Sequence, residues 1–230
     1  MLEGVLIGII LLAAICLSVT VLDCNRFVTV AYEIKSDKIT KPCRMVLLSD
    51  LHNKSFGSGN SRLLRRIDEL TPDEILVAVD MLTATAGHDY SPALGLMENL
   101  AKKYRVHYGM GNHEYRLGLY PDQYPAMYAG YMAGLKEAGI EPLINQRTYL
   151  PKWNMDVCGV EIDRRYYKHF RKMQMETEYL DNLLGKPKED VFQVLIAHNP
   201  VYFETYAKWG ADLVVSGHVH GGIMRLPVLG

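Results

Sequence analysis

The sequence predicts an α/β domain with substantial parallel strand pairing, preceded by one apolar helix. Three observations carry this reading. Short apolar runs alternate with helical-period stretches along most of the 230 residues. Five predicted strands end in Asp, Asn or His. The run from Gly4 to Leu22 holds no charged side chain.

That first run spans roughly 28 Å at about 1.5 Å per residue, close to a bilayer's hydrocarbon core. Only Ser18 and Thr20 interrupt it, so it lacks the polar face of a core helix. Glu3 and the absence of Lys or Arg before the run argue against a cleaved signal peptide, as does Leu22-Asp23-Cys24, which offers no small-residue site. Residues 1–22 therefore read as a single-pass N-terminal membrane helix. Arg26, Lys35, Lys38 and Lys41 follow it and no basic residue precedes it, which favours the cytoplasmic side for the rest of the chain by the positive-inside rule and leaves the orientation open.

Residues 23–42 read as a connector with a short strand, because Val28, Val30 and Tyr32 alternate with Thr29, Ala31 and Glu33. Met45 to Leu48 reads as a buried strand delivering Ser49-Asp50. Asn60 is placed to cap a helix whose Leu63, Leu64, Ile67 and Leu70 share one face. Ile75 to Val79 is the next strand, ending at Asp80. Ser91-Pro92 opens a helix to about Lys103, with Pro suited to the first turn. Arg105 to Met110 is a strand ending in Gly111-Asn112-His113-Glu114, and Tyr124-Pro125 opens a helix to about Ala138. Strands follow near 141–150 and 155–162, then a helix over about 170–184 stopped by Gly185. Val191 to Ala197 ends at His198, and Leu213 to Ser216 ends at Gly217-His218.

Composition narrows the function. Lys and Arg number 25 against 26 Asp and Glu, so no broad basic surface for nucleic acid is expected. The 4 cysteines are widely spaced, with no C-x-x-C to suggest a disulfide or zinc framework. The informative residues are the strand-end polar ones: Asp50, His52, Asp80, Asn112, His113, His198, His218 and His220. In open α/β sheets, ligands gather at the carboxyl ends of strands. Carboxylate, imidazole and amide oxygen together suit Mn, Fe or Zn ions. Asp50 and His52 are two apart, so an extended segment turns both to one side, and His218 with His220 repeats the spacing. Two such pairs plus a shared carboxylate can hold two metals, a pairing that clamps a phosphoryl group.

The order Asp50-x-His52, Asp80, Gly111-Asn112-His113-Glu114, His198, Gly217-His218-x-His220 resembles the calcineurin-like metallophosphoesterases over about residues 44–222. With the apolar N-terminus, the chain resembles the bacterial membrane-associated phosphodiesterase branch of that family. The resemblance implies a four-layer αββα sandwich over residues 43–230 and two divalent metal ions. It implies that Asp50, His52 and His220 bind one metal, that Asn112, His198 and His218 bind the other, and that Asp80 bridges them. His113 would be catalytic rather than a ligand, stabilising charge on the phosphate or protonating the leaving oxygen. The implied substrate is a phosphomonoester or phosphodiester, with lipid-linked or nucleotide-diphospho compounds among the choices. No nucleic-acid partner is expected.

Three departures qualify the pattern. Val79 stands where the family usually has Gly before the bridging Asp, which predicts crowding of the site or displacement of Asp80. Thr83 stands where an Asp often supports the catalytic His, with Glu114 as a possible substitute. Gly230 follows the last ligand by ten residues, so a C-terminally incomplete domain is expected. The alternative reading is a metal-binding, membrane-tethered module with impaired catalysis.

Overall fold

A computed structural model describes residues 2–167 and 173–220, and the chain divides into two compact units, Met1–Ile34 and Lys35–Gly230. The first unit is built on α1 (Leu2–Cys24). Its stretch from Gly4 to Cys24 is long and apolar enough to cross a membrane, and none of it is buried. Ser18 Oγ donates to the Ala14 carbonyl and Thr20 Oγ1 to that of Cys16, both at 2.8 Å. The two hydroxyls of the run are thus satisfied by their own helix, as a lipid environment demands. Residues 28–34 form no strand, against the sequence expectation. Val28, Val30 and Tyr32 are exposed, and so are the residues between them, so the alternation there marks no buried face.

The second unit contains two sheets. The first has parallel strands β1 (Met45–Leu48), β2 (Glu74–Val77) and β3 (Arg105–Tyr108) in the order β1-β2-β3. Between them run α2 (Ser61–Leu70) and α3 (Ser91–Ala101). After β3 come α4 (Asn112–Leu119) and α5 (Met127–Glu137). The second sheet has the order β4-β5-β6-β7, from β4 (Gln146–Leu150), β5 (Met155–Val160), β6 (Phe192–Ala197) and β7 (Leu213–Val215). Only β4 runs antiparallel to its neighbour. Helices α6 (Thr177–Leu184) and α7 (Phe203–Trp209) flank β6 in sequence.

The sheets pack face to face. Leu76 and Ala78 of the first meet Val157, Val194, Ile196 and Val215 of the second in one buried cluster. On the far side of the second sheet, Cys158, Val160, Leu195 and Ala197 pack with Leu180, Leu184, Tyr206 and Trp209 of α6 and α7. Helix α3 lies against β3, and α5 against α3 and α4. Helix layer, sheet, sheet and helix layer give the expected αββα order.

The structure differs from the sequence reading in several places. Asn60 does not cap α2; its Oδ1 accepts from the Phe56 N–H at 3.0 Å instead. Strands β2 and β3 stop at Val77 and Tyr108, two residues before their apolar runs end, because the chain there leaves the sheet to form the site. Helices α4 and α7 have no counterpart in the sequence reading. Helix α6 begins at Thr177, and residues 170–172 of the predicted helix lie outside the described residues.

Candidate metal centre

Three loops leave the first sheet side by side. The Asp50 N–H donates to the Val79 carbonyl at 2.7 Å, His52 N–H to Asp80 at 3.0 Å and Asn53 N–H to Met81 at 2.7 Å. These bonds continue the β1–β2 pairing while the chain turns left-handed. Asp50 (φ 54°), His52 (47°), Val79 (83°), Asp80 (50°), His218 (73°) and His220 (49°) all have positive φ. Such backbone costs of order 1–3 kcal/mol per non-glycine residue, and most for a β-branched one. With Asn53 (62°), seven of the twelve positive-φ non-glycine residues among the described residues gather here, and such clusters favour functional sites.

Two glycines make the close approach possible. A Cβ on Gly111 would collide with Asp80 Oδ1, and one on Gly217 with Ser49 Oγ and the Asp50 carboxylate. Each aspartate spends one oxygen on a backbone amide. Asp80 Oδ1 accepts from His113 N–H at 2.9 Å, and Asp50 Oδ1 accepts from His218 N–H at 3.0 Å.

The remaining donor atoms converge. Asp50, His52 and His220 form one group, His52, Asp80 and His113 a second, and Asp80, His198 and His218 a third, with ligand atoms in each within 4.8 Å of one another. Asn112 Oδ1 lies 3.1 Å from His198 Nε2 and 2.9 Å from His218 Nδ1. All eight residues singled out in the sequence therefore lie in one cluster. Asp80 belongs to two of the groups that otherwise separate.

The hydrogen bonds test whether this cluster suits a cation. His198 Nδ1 lies 2.9 Å from the Ala78 carbonyl, which can only accept, so Nδ1 carries a proton. In the neutral ring, Nε2 then presents a lone pair, 2.9 Å from Asp80 Oδ2. A lone pair, a carboxylate oxygen and an amide oxygen thus face one another. His52 Nε2 and His220 Nε2 approach to 3.2 Å across rings stacked at 4.8 Å, a distance that one ring N–H donating to the other also satisfies. The Asp80, Asn112 and His198 acceptors, packed this closely, need positive charge between them, and a ligand imidazole bonded through its other nitrogen to a carbonyl is the usual support of a metal ligand. The residues fit divalent metal ions.

Electrostatics follow from the same contacts. Burial opposes ionisation of Asp80, but positive charge beside it, here a second ring proton on His198 Nε2 in the place a cation would take, overcomes that and holds the carboxyl down at about 2. Burial pulls His198 down, and Asp80 outweighs it, so His198 is raised. Burial lowers both His52 and His113.

Val79 does not displace Asp80, which stays within 2.9 Å of His198. Its effect appears as the strained backbone instead. Nor does Glu114 orient His113. The Ala84 N–H does so, donating to His113 Nδ1 at 2.8 Å. An amide can only donate, so Nδ1 holds the lone pair and Nε2 the proton. Two contacts had no sequence signal: Ser49 Oγ donates to Asp50 Oδ2 at 3.1 Å, and the Tyr167 ring stands edge-on to His218 at 5.6 Å. Neither falls in a recognisable spacing, because both come from neighbours of the ligands rather than the ligands.

An αββα sandwich with this donor cluster at its strand ends defines a phosphoesterase-type metal domain. The sequence model of the calcineurin-like phosphoesterases matches residues 43–222, and the chain belongs to that family. It is 28% identical over 190 residues to an uncharacterized metallophosphoesterase of Helicobacter pylori, covering 81% of this chain and 46% of that protein. It is 25% identical over 195 residues to the phosphodiesterase YaeI of Escherichia coli, covering 82% of this chain and 64% of the relative. The protein YpbG of Bacillus subtilis is 21% identical over 213 residues, or 90% of this chain and 72% of the relative. The chain thus spans about half the length of the Helicobacter pylori relative.

Proposed function

We propose that this chain is a membrane-anchored phosphoesterase that uses two divalent metal ions to hydrolyse a phosphomonoester or phosphodiester. The observation that carries the reading is the convergence of acceptor atoms around Asp80. Asp50, His52 and His220 would hold one ion, Asn112, His198 and His218 the other, and Asp80 both. The separation of the two outer groups, with Asp80 reaching His52 on one side and His198 on the other, supports that division. Bound there, the ions would neutralise phosphoryl oxygens and make water a nucleophile at neutral pH.

The chain's own residues supply the rest. Gly111 and Gly217 let the loops close on both carboxylates. The His113 and His218 amides fix the orientation of Asp80 and Asp50. His113 offers an Nε2–H while its other nitrogen is occupied by the Ala84 amide. That arrangement suits a neutral hydrogen-bond donor to a phosphate or leaving oxygen better than a full proton donor, which would have to break the Ala84 bond. Thr83 fits this division, since no carboxylate is there to hold an Nδ1 proton.

Helix α1 supports the anchor, and the basic residues after it favour a cytoplasmic catalytic unit. The relative named a phosphodiesterase supports diesters within the substrate class. The test is Mn²⁺-dependent hydrolysis of bis(p-nitrophenyl) phosphate. Asp80→Asn is expected to lower it by about 10³-fold or more, on the scale of removing a central transition-state contact. Full activity in that variant sinks the reading.

A further inference from the structure

Behind the metal cluster lies a fully buried chain of polar groups. Glu114 Oε1 accepts from the Met81 N–H at 3.0 Å and from Tyr108 Oη at 3.0 Å. Its Oε2 accepts from the Asp80 N–H at 3.3 Å. Tyr108 Oη lies 2.9 Å from Tyr131 Oη on α5. Tyr108 gives its one proton to Glu114, so Tyr131 is the donor in that second bond. Tyr90 stands edge-on to Tyr131 at 5.7 Å and closes the outer end.

Glu114 grips the two amides that directly follow Val79. Val79 is the most positive non-glycine φ of the chain's described residues, at 83°, and its side chain is fully buried. A β-branched residue left to itself avoids that region, whereas glycine enters it freely. Relaxation of Val79 to negative φ would swing Asp80 away from His198. Apolar side chains could fill the same space, but they would leave the Asp80 and Met81 amides buried without a partner.

We propose that Tyr131, Tyr108 and Glu114 form a clamp of positioning residues that holds the Val79–Asp80 turn in its metal-binding shape, and that this clamp is what allows valine at position 79. The inference rests on the metal reading of the Asp80 cluster. It makes α5, which carries none of the site residues, a determinant of metal affinity.

The test is a double-mutant cycle read as the Mn²⁺ dissociation constant, by calorimetry on the full chain in detergent. Tyr108→Phe is expected to raise Kd by about tenfold, and Tyr131→Phe, one bond further out, by about threefold. In the Val79→Gly background the Tyr108→Phe penalty is expected to shrink below about threefold, because glycine needs no clamp to hold the turn. A purely packing role for the tyrosines gives no such rescue. Unchanged Kd in both tyrosine variants, or an equal penalty with valine and with glycine, overturns the clamp. If Tyr108→Phe does not fold, Tyr131→Phe carries the same comparison. A wild-type chain that binds no Mn²⁺ removes the metal reading and the clamp together, whereas a wild type that binds with no rescue removes the clamp alone.

Discussion

His113 shows how much one backbone amide decides. The motif Gly111-Asn112-His113-Glu114 announces the imidazole, but the proton's position comes from Ala84, whose N–H occupies Nδ1. His113→Asn is expected to bind Mn²⁺ within about threefold of wild type while losing at least about 10²-fold in kcat. A neutral donor also predicts that this loss is similar for p-nitrophenyl and for more basic leaving groups; a loss that grows with leaving-group basicity would assign proton transfer to His113 instead. Gly111→Ala should abolish metal binding, since its Cβ has nowhere to go but into Asp80. The donor residues were legible in the sequence because carboxylates and imidazoles at strand ends have few other uses. The positive φ of Asp50, His52, Val79 and Asp80 was not, because nothing in a valine or a histidine announces left-handed backbone.

Among the elements, the parallel strands were legible because each is a short apolar run bounded by polar residues. Their ends were misplaced for a reason tied to function: Ala78-Val79 continues the apolar pattern after the strand has stopped at Val77. Helix α4 escaped notice because its first residues are site residues, and only Glu114 and Leu117 are buried on it. Helix α7 is seven residues long, with Tyr206 and Trp209 as its buried positions. One contact ties several elements together. Asp73, between α2 and β2, accepts from the Arg44 N–H at 3.0 Å and from Lys152 Nζ at 3.1 Å. The Arg44 amide, then Lys152, hold its carboxyl below the usual range against burial. A depressed folded value means the stabilisation is complete above the unfolded value of about 3.9 and is lost as pH falls through the folded one. Asp73→Ala is therefore expected to cost about 1 kcal/mol at pH 7, a gap that narrows below about pH 4 in urea melts at stepped pH.

At the scale of the whole molecule, the balanced charge fits a small anionic substrate met by metal ions rather than by a basic surface. The two units divide the work in the proposed reading: α1 holds the chain at a bilayer, and the αββα unit carries the chemistry. The full chain is expected to sediment with membranes and to resist alkaline carbonate extraction. Lysines in place of Leu11 and Ile15, each costing about 3 kcal/mol near a helix centre, should release it. The central claim is that the acceptor cluster around Asp80 holds a pair of ions, and counting bound Mn²⁺ on the purified full chain tests it most directly. The account predicts two Mn²⁺ per chain in wild type; one ion, or none, contradicts it.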